Sequence, residues 1–189
     1  MFSGRIASAV AAAALVTLGM AVPAAADSGP GAKGSSFGAQ AQQAGLTEGQ
    51  ATALQERVES RIAQQGGRQV SANEIALPGA SLLVAVPGEK YARDLATPGR
   101  QSALAWECDY EYFCMYRGTN GTGDRLALYK CQNYGLTNWV GTGSYYNRQT
   151  PGTKAQFKNQ SGAVIWTTGG APSFHANYDW DPVWTVKPC

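Results

Sequence analysis

The cysteines constrain this chain more than any other feature, because all four lie in its C-terminal half, at Cys108, Cys114, Cys131 and Cys189. An even number of cysteines in an exported protein is typical of a disulfide framework. Three pairings are possible. We favour Cys108–Cys114, which closes a local turn, and Cys131–Cys189, which ties the last residue to the body of the domain. A zinc site is the alternative, but the spacing contains no C-x-x-C pair and His175 is the only histidine.

The N-terminus supports export. Arg5 precedes a run of small apolar residues from 6 to 22, and Ala24-Ala25-Ala26 places small residues before a cleavage point. These are the three regions of a secretory signal peptide, which we assign to residues 1–26. A membrane anchor is the alternative, but the run is shorter than a bilayer span and no basic stop-transfer flank follows it. We therefore expect a secreted, extracellular protein with no membrane contact after cleavage.

Residues 27–45 consist mostly of Gly, Ser, Ala and Gln, a composition that predicts a flexible linker. Thr47 and Gln50 then have the spacing of a capping box. Apolar residues at helical spacing follow, which predicts one amphipathic helix of about four turns that ends at Gly66-Gly67. The apolar positions are Ala51, Leu54, Val58 and Ile62.

Two extended runs, 69–77 and 81–86, follow this helix, with the turn dipeptide Pro78-Gly79 between them. Residues 46–89 therefore form a helix and hairpin segment, which is too small to hold a sizeable core alone. We expect it to pack on the C-terminal domain or on another protein, and a removable pro-region is one role for it. Residues 90–105 are predicted to be a second linker.

The composition changes sharply at Trp106. All five tryptophans and eight of the nine tyrosines lie from there onward, and large aromatics bury much area in a domain of about eighty residues. We therefore predict an all-β domain over residues 106–189, an antiparallel sandwich or Greek-key barrel without a helix longer than about one turn. The predicted strands are 111–117, 125–131, 154–159, 163–168 and 183–187, with a tight hairpin at 159–162.

Three stretches of this domain carry a resemblance to a known family. They are Cys108-Asp-Tyr-Glu-Tyr-Phe-Cys114-Met-Tyr116, the segment from Gly121 to Tyr129, and the segment from Gly143 to Asn147. Residues 106–189 resemble the βγ-crystallin-like secreted bacterial proteins, and more closely the streptomycete metalloproteinase-inhibitor family. The resemblance implies a βγ-crystallin-like Greek-key sandwich with two disulfides, and the activity of a proteinaceous peptidase inhibitor.

The chain departs from the family pattern at two places. A crystallin-type motif has an aromatic residue where Gly121 stands, so we expect Tyr112 or Tyr134 to fill that corner. Calcium-binding members carry acidic or amide residues before a Ser pair or Thr-Ser, whereas the matching stretch 141–145 has no carboxylate. Calcium needs several oxygen ligands. We therefore predict no tight calcium site, no other metal and no cofactor.

Composition and motifs also argue against two classes of function. Nucleic-acid binding needs a clustered basic surface, but the formal charge is +2 and the Lys and Arg residues are scattered along the sequence. Catalysis is not predicted either, because no nucleophile motif accompanies His175. Asp179 and Asp181 are too close in sequence to act from opposite sides of a glycosidic bond. A loop cap, or a partner for Arg and Lys, explains them better.

We therefore expect a protein that is not an enzyme and acts by binding. The first hypothesis follows from the resemblance: a secreted monomer inhibits an extracellular protease, a metalloprotease, by presenting a rigid segment. The candidate contact is Lys130, Cys131 and Gln132, with the long loop 168–178 as the alternative. The other hypotheses are a small killer-toxin-like protein and a cell-wall or carbohydrate-binding module that uses exposed rings. The candidate rings are Trp139, Tyr145, Tyr146, Trp180 and Trp184.

Overall fold

The structure is a computed structural model that describes residues 30–97 and 105–189. The predicted signal peptide and the centre of the predicted second linker lie outside these ranges. The described residues form two helices, α1 (Pro30–Gln43) and α2 (Glu48–Gln65), and eleven strands. The strands are β1 (Arg68–Gln69), β2 (Glu74–Leu77), β3 (Ala80–Leu83), β4 (Phe113–Tyr116), β5 (Arg125–Leu128), β6 (Tyr134–Gly135), β7 (Thr142–Asn147), β8 (Gln156–Lys158), β9 (Val164–Thr167), β10 (Ser173–Asp179) and β11 (Thr185–Lys187).

Helix α2 begins and ends where its local signals place it. The Thr47 hydroxyl accepts a hydrogen bond from the Gln50 backbone N–H at 3.2 Å, and the Gln50 side chain accepts from the Thr47 backbone at 3.0 Å. This is the predicted capping box. Leu54 and Val58 are fully buried, which confirms the predicted apolar face. At the other end, the Gly66 N–H donates to the carbonyl of Ile62 at 2.8 Å.

Helix α1 is a departure from the sequence prediction, which made residues 27–45 a flexible linker. Residues 30–43 are helical, and Ala41 and Leu46 are buried in the main core. The side-chain carbonyl of Gln40 also accepts a hydrogen bond from the Ala72 backbone N–H. Most of the stability of such a helix comes from tertiary packing, which a composition rich in Gly and Ser does not reveal.

One antiparallel sheet runs across the compositional boundary at Trp106. Its seven strands lie in the order β1-β2-β3-β5-β4-β7-β10. The N-terminal hairpin β2–β3 joins the C-terminal strands through β3 and β5, where Leu82 lies opposite Leu126. The helix and hairpin segment therefore packs on the C-terminal part of the same chain, which is one of the two expected arrangements.

A second sheet, in the order β6-β11-β8-β9, packs against the first. Phe113 of the large sheet and Phe157 of the small sheet meet edge to face, with ring centroids 5.9 Å apart. Leu54 of α2 belongs to the same cluster of buried residues as these two rings. A single core thus joins the helices and both sheets, and the described protein is mostly β-sheet, as predicted.

Each predicted strand run contains a strand, but three strands were not predicted. The run 69–77 is divided into β1 and β2, while β6, β7 and β10 were expected to be turns or loops. The prediction of a loop over 168–178 is wrong from residue 173, where β10 begins and pairs with β7. Polar residues and Gly143 interrupt the apolar alternation that strand prediction depends on.

The segment 90–97 also differs from a linker. Tyr91 forms a parallel bridge with Gly123, and Ala92 and Leu95 are buried. The Arg93 guanidinium forms an ion pair with the carboxylate of Glu89, four residues earlier, with an N–O distance of 2.9 Å. This part of the chain is therefore fixed to the large sheet before the chain enters its C-terminal part.

Both predicted disulfides are present. Cys108 bonds to Cys114 with a Cα–Cα distance of 5.8 Å, and Cys131 bonds to Cys189 with 5.5 Å. All four cysteines are thus paired, which removes the zinc alternative. The only helical segment described after residue 104 is a short 3-10 turn at Thr119–Gly121.

The corner at Gly121 is filled by a residue that was not predicted. The Trp106 ring lies edge-on against Tyr116, with centroids 5.8 Å apart. A Cβ atom at position 121 would lie 2.6 Å from the Trp106 backbone nitrogen, so only glycine permits this approach. Tyr112 and Tyr134, which were expected here, lie elsewhere: the Tyr112 ring contacts the tilted ring of Tyr129, and Tyr134 hydrogen-bonds to Gly79.

A buried carboxylate, Asp124, connects the two parts of the chain. It is 1% exposed and accepts from the Arg61 guanidinium of α2 at 2.9 Å and from the Ala85 backbone N–H at 3.0 Å. Arg57 and Arg117 lie 3.7 and 3.5 Å away. Burial, and then the nearby charge of Arg61, lowers the pKa of Arg117 to about 10, although Asp124 opposes this shift. Arg117 therefore stays charged at neutral pH.

Candidate functional site

The predicted contact residues form an exposed loop between β5 and β6. Lys130, Cys131 and Gln132 are all exposed. The Cys131–Cys189 bond joins this loop to the end of the chain just after β11. The Gln132 N–H donates to the Lys130 carbonyl at 3.0 Å. The three residues therefore make a tight turn with the half-cystine at its centre.

The turn between β2 and β3 holds this loop from the other side. The Tyr134 hydroxyl donates to the Gly79 carbonyl at 2.6 Å and accepts from the Lys130 N–H at 3.3 Å. The Gln132 side-chain amide donates to the Pro78 carbonyl at 2.9 Å. Burial raises the pKa of Tyr134, so the phenol keeps the proton that it donates.

Gly79 is required by this arrangement. Its φ is +73°, and a Cβ atom there would lie 2.7 Å from the Tyr134 hydroxyl. The carbonyl of the same residue also accepts from the Tyr129 N–H at 3.1 Å. The contact loop is thus held by a disulfide at one side and by backbone groups of the N-terminal hairpin at the other.

The alternative contact, residues 168–178, consists of a hydrogen-bonded segment that begins at the buried Thr168, followed by the first residues of strand β10. Thr168 is buried, and its hydroxyl accepts from the Ala155 N–H at 2.9 Å. The Asn147 side chain donates to the Thr153 carbonyl at 2.8 Å beside it. From Ser173 onward the chain is strand β10 at the edge of the large sheet. This segment does not present a free loop to a partner.

Most of the aromatic rings proposed as a sugar-binding surface are in the core. Trp139, Tyr145 and Trp180 are buried, whereas Trp184 is 51% exposed and Tyr146 is half-buried. Among the described residues, the ring with the highest exposed fraction was not predicted: Phe174 is 66% exposed and its ring lies 5.2 Å from that of Trp106. The rings that remain accessible therefore differ from those chosen on composition.

The described residues assemble no catalytic or metal-binding group. His175 lies among the rings of Tyr145, Trp166 and Tyr178, and no carboxylate or nucleophile bonds to it. Asp179 accepts from the Asp181 N–H at 3.0 Å, and Asp181 accepts from the Gly141 N–H at 2.7 Å. These two carboxylates cap a turn, as expected. Within the described ranges, no cluster of His, Cys, Asp and Glu is suited to hold a metal ion.

The contact loop lies in the part of the chain that is similar to a known family. The family model for peptidase inhibitor family I36 matches residues 101–163. The I36 match includes Cys108, Cys114 and the whole contact loop, and it ends before β9. Comparison with curated proteins and with solved structures gives no match. The similarity supports a peptidase inhibitor and confirms the prediction that the protein is not an enzyme.

Two further observations bear on where the protein acts. The two disulfides are consistent with the oxidising conditions outside the cell. Among the described helices, none is long and apolar enough to cross a membrane. Sequence reasoning proposed the contact at residues 130–132 through Cys131, but it did not identify Gly79 and Tyr134 as the residues that hold this loop. The Pro78-Gly79 dipeptide signalled a turn, but no local pattern indicates that this turn meets residue 134.

Proposed function

We propose that the protein is a secreted inhibitor of an extracellular metalloprotease and that it binds the enzyme through Lys130, Cys131 and Gln132. The observation that supports this most is the combination of exposure and restraint in the contact loop, inside the stretch similar to the I36 family. Metalloprotease specificity rests on the resemblance to the streptomycete inhibitors, and secretion rests on the signal peptide predicted for residues 1–26.

The restraint matters because binding a flexible loop costs the entropy of ordering it. Here the loop is ordered before the enzyme arrives, by one disulfide and by the hydrogen bonds of Tyr134 and Gln132. If the enzyme cuts the loop, both new ends stay next to strands β5 and β6, so the cut is readily reversed and the product leaves slowly. An inhibitor of this kind needs no reaction of its own.

Inhibition constants for a thermolysin-type metalloprotease and a subtilisin-type serine protease test the proposal. We expect tight inhibition of the metalloprotease, and weaker inhibition after the double substitution Lys130→Ala and Gln132→Ala. The matched control is Gln160→Ala in the exposed β8–β9 turn, which should inhibit normally. If neither enzyme is slowed, the inhibitor proposal is wrong. Inhibition of the serine protease alone would overturn only the metalloprotease specificity.

A second candidate function, binding of cell-wall carbohydrate, is favoured by the exposed Phe174 ring. Phe174 and the half-buried rings of Trp106 and Tyr146 lie together on the outer face of the large sheet. Exposed rings of this kind stack well on sugar faces. Sedimentation with insoluble peptidoglycan or chitin tests this, and retention should fall for Phe174→Ala. Recovery of the unmodified protein in the unbound fraction would exclude the carbohydrate hypothesis.

A further inference from the structure

Strand β9 forms an open edge of the small sheet. Among the strands that the structure describes, it pairs with β8 only, and all four of its residues are exposed. Val164, Ile165 and Trp166 are 48, 40 and 39% exposed. The strand contains no charged residue and no proline, which are two of the usual means of blocking an edge against another strand. Its outward backbone groups are therefore available to a partner.

Contacts between the Trp166 side chain and rings of the large sheet fix strand β9 in place. The Trp166 indole N–H donates to the Tyr145 hydroxyl at 3.1 Å, and its ring lies 5.6 Å from that of Tyr178. A register shift between Phe157 and Lys158 leaves Ile165 without a partner on β8. This bulge shortens the regular part of the edge, so side-chain contacts have to contribute to any strand pairing here.

The sheet register collects lysines that are scattered in the sequence. Lys158 lies between Val164 and Thr185, and Lys187 is opposite Gln156 on the same face. Lys158 and Lys187 are diagonal neighbours, which places their Cα atoms about 7–8 Å apart. Lys154, just before β8, is exposed. The outer face of the small sheet thus carries positive charge on β11 and β8, and Lys154 is exposed next to the β8–β9 pair.

No carboxylate of the neighbouring sequence balances these lysines. Residues 125–178 contain no Asp or Glu. The next two carboxylates, Asp179 and Asp181, cap the turn with Gly141. The Lys158 ammonium donates to the neutral Asn133 side chain at 3.0 Å. An anionic partner would therefore meet no opposing Asp or Glu side chain from residues 125–178.

We propose that β9 binds an extended, acidic polypeptide segment, which adds to the small sheet as a fifth strand. The edge backbone supplies the alternating donors and acceptors that only another polypeptide strand can pair. Val164 and Ile165 supply apolar contacts, and the exposed Lys154 binds the carboxylates. The site lies at the opposite edge of the small sheet from the contact loop, three strand spacings or about 14 Å away. It is thus a separate site from the proposed inhibitory one.

Fluorescence anisotropy of the full chain with a labelled synthetic peptide tests this proposal. The probe is a nine-residue peptide that alternates Glu with Val and Thr. Two comparison peptides replace Glu with Lys, or place Pro at the centre so that the strand cannot pair. We expect the acidic peptide to bind, and both comparison peptides to bind at least about tenfold more weakly.

Protein variants identify the site. Lys154→Glu should weaken binding of the acidic peptide by about tenfold or more, whereas the exposed Lys90→Glu in the other half of the chain should bind like the unmodified protein. Circular dichroism verifies that both variants are folded. Absence of binding, equal binding of the Pro peptide, or an equal effect of Lys90→Glu would each overturn the proposal. Equal binding of the Pro peptide would indicate a general polyanion surface instead.

Discussion

The N-terminal part of the protein, residues 30–97, and the C-terminal part, residues 105–189, are stabilised by different interactions. The C-terminal part has both disulfides and a stack of rings in which Tyr145, Phe157 and Trp180 contact one another. The N-terminal part has no cysteine and no tryptophan. It is fixed by the burial of aliphatic side chains such as Leu54, and by ion pairs with Asp124 of the C-terminal part. A sharp change in composition therefore marks a change in how the chain is stabilised, while the sheet and the core continue across it.

Removal of residues 1–104 should have the largest effect on this comparison. The remaining chain would expose the β5 edge and the apolar surface under α2, so we expect it to aggregate or to lose its cooperative thermal transition. Co-expression of residues 30–97 as a separate chain should restore that transition. If residues 46–89 are instead a removable pro-region, the shortened protein will show a melting curve close to that of the full chain.

The two disulfides should contribute unequally. The Cys131–Cys189 bond spans 58 residues and Cys108–Cys114 spans 6. The chain-entropy relation then gives about 4 and about 2 kcal/mol of stability for the longer and the shorter loop. Urea unfolding of the Cys131→Ser/Cys189→Ser and Cys108→Ser/Cys114→Ser variants measures both. Equal losses would show that native-state contacts, and not loop closure, determine the contribution of each bond.

The junction itself is tested by Asp124→Asn. This substitution removes the buried negative charge that Arg61 and Arg117 share. It should lower the free energy of unfolding by about 3 kcal/mol, which is the lower end of the range for a broken buried ion pair. We expect the lower end because the third arginine, Arg57, is 41% exposed and reaches water. Asp109→Asn, at an exposed position, is the control and should change the denaturant midpoint little. A similar midpoint for both variants would mean that packing alone joins the two parts.

Alkaline pH should lower the stability of the protein mainly through tyrosines of the C-terminal part, and we expect no such loss near neutral pH. Burial raises the pKa of Tyr178 from 10.0 to about 12, and it also raises that of Tyr145. Since the folded-state pKa is the higher one, stability is complete below pH 10 and falls as the pH rises toward 12. Melting temperatures between pH 8 and 12, together with tyrosinate absorbance, measure this. The decline should be smaller in Tyr178→Phe.

Local patterns predicted the elements that depend on local contacts. The capping box of α2, the Pro78-Gly79 turn and the hairpin at 159–162 all involve residues a few positions apart. Both disulfides also followed from spacing and export. Helix α1 and strand β10 were missed because their stability comes from partners distant in the sequence, as with the Gln40 contact to Ala72. The contact between Tyr134 and Gly79 spans 55 residues, which no periodicity reveals.

Because a half-cystine lies at the centre of the contact loop, the position at which an enzyme cuts the loop determines whether the two fragments stay covalently joined. Cys131 and Cys189 are bonded, so hydrolysis after Cys131 leaves one covalent molecule that separates only under reducing conditions. Hydrolysis after Lys130 puts both half-cystines in the same fragment, and the two fragments are then joined only through the sheets. A non-reducing denaturing gel distinguishes these products by size, and one peptide bond thus determines whether the cut protein can come apart.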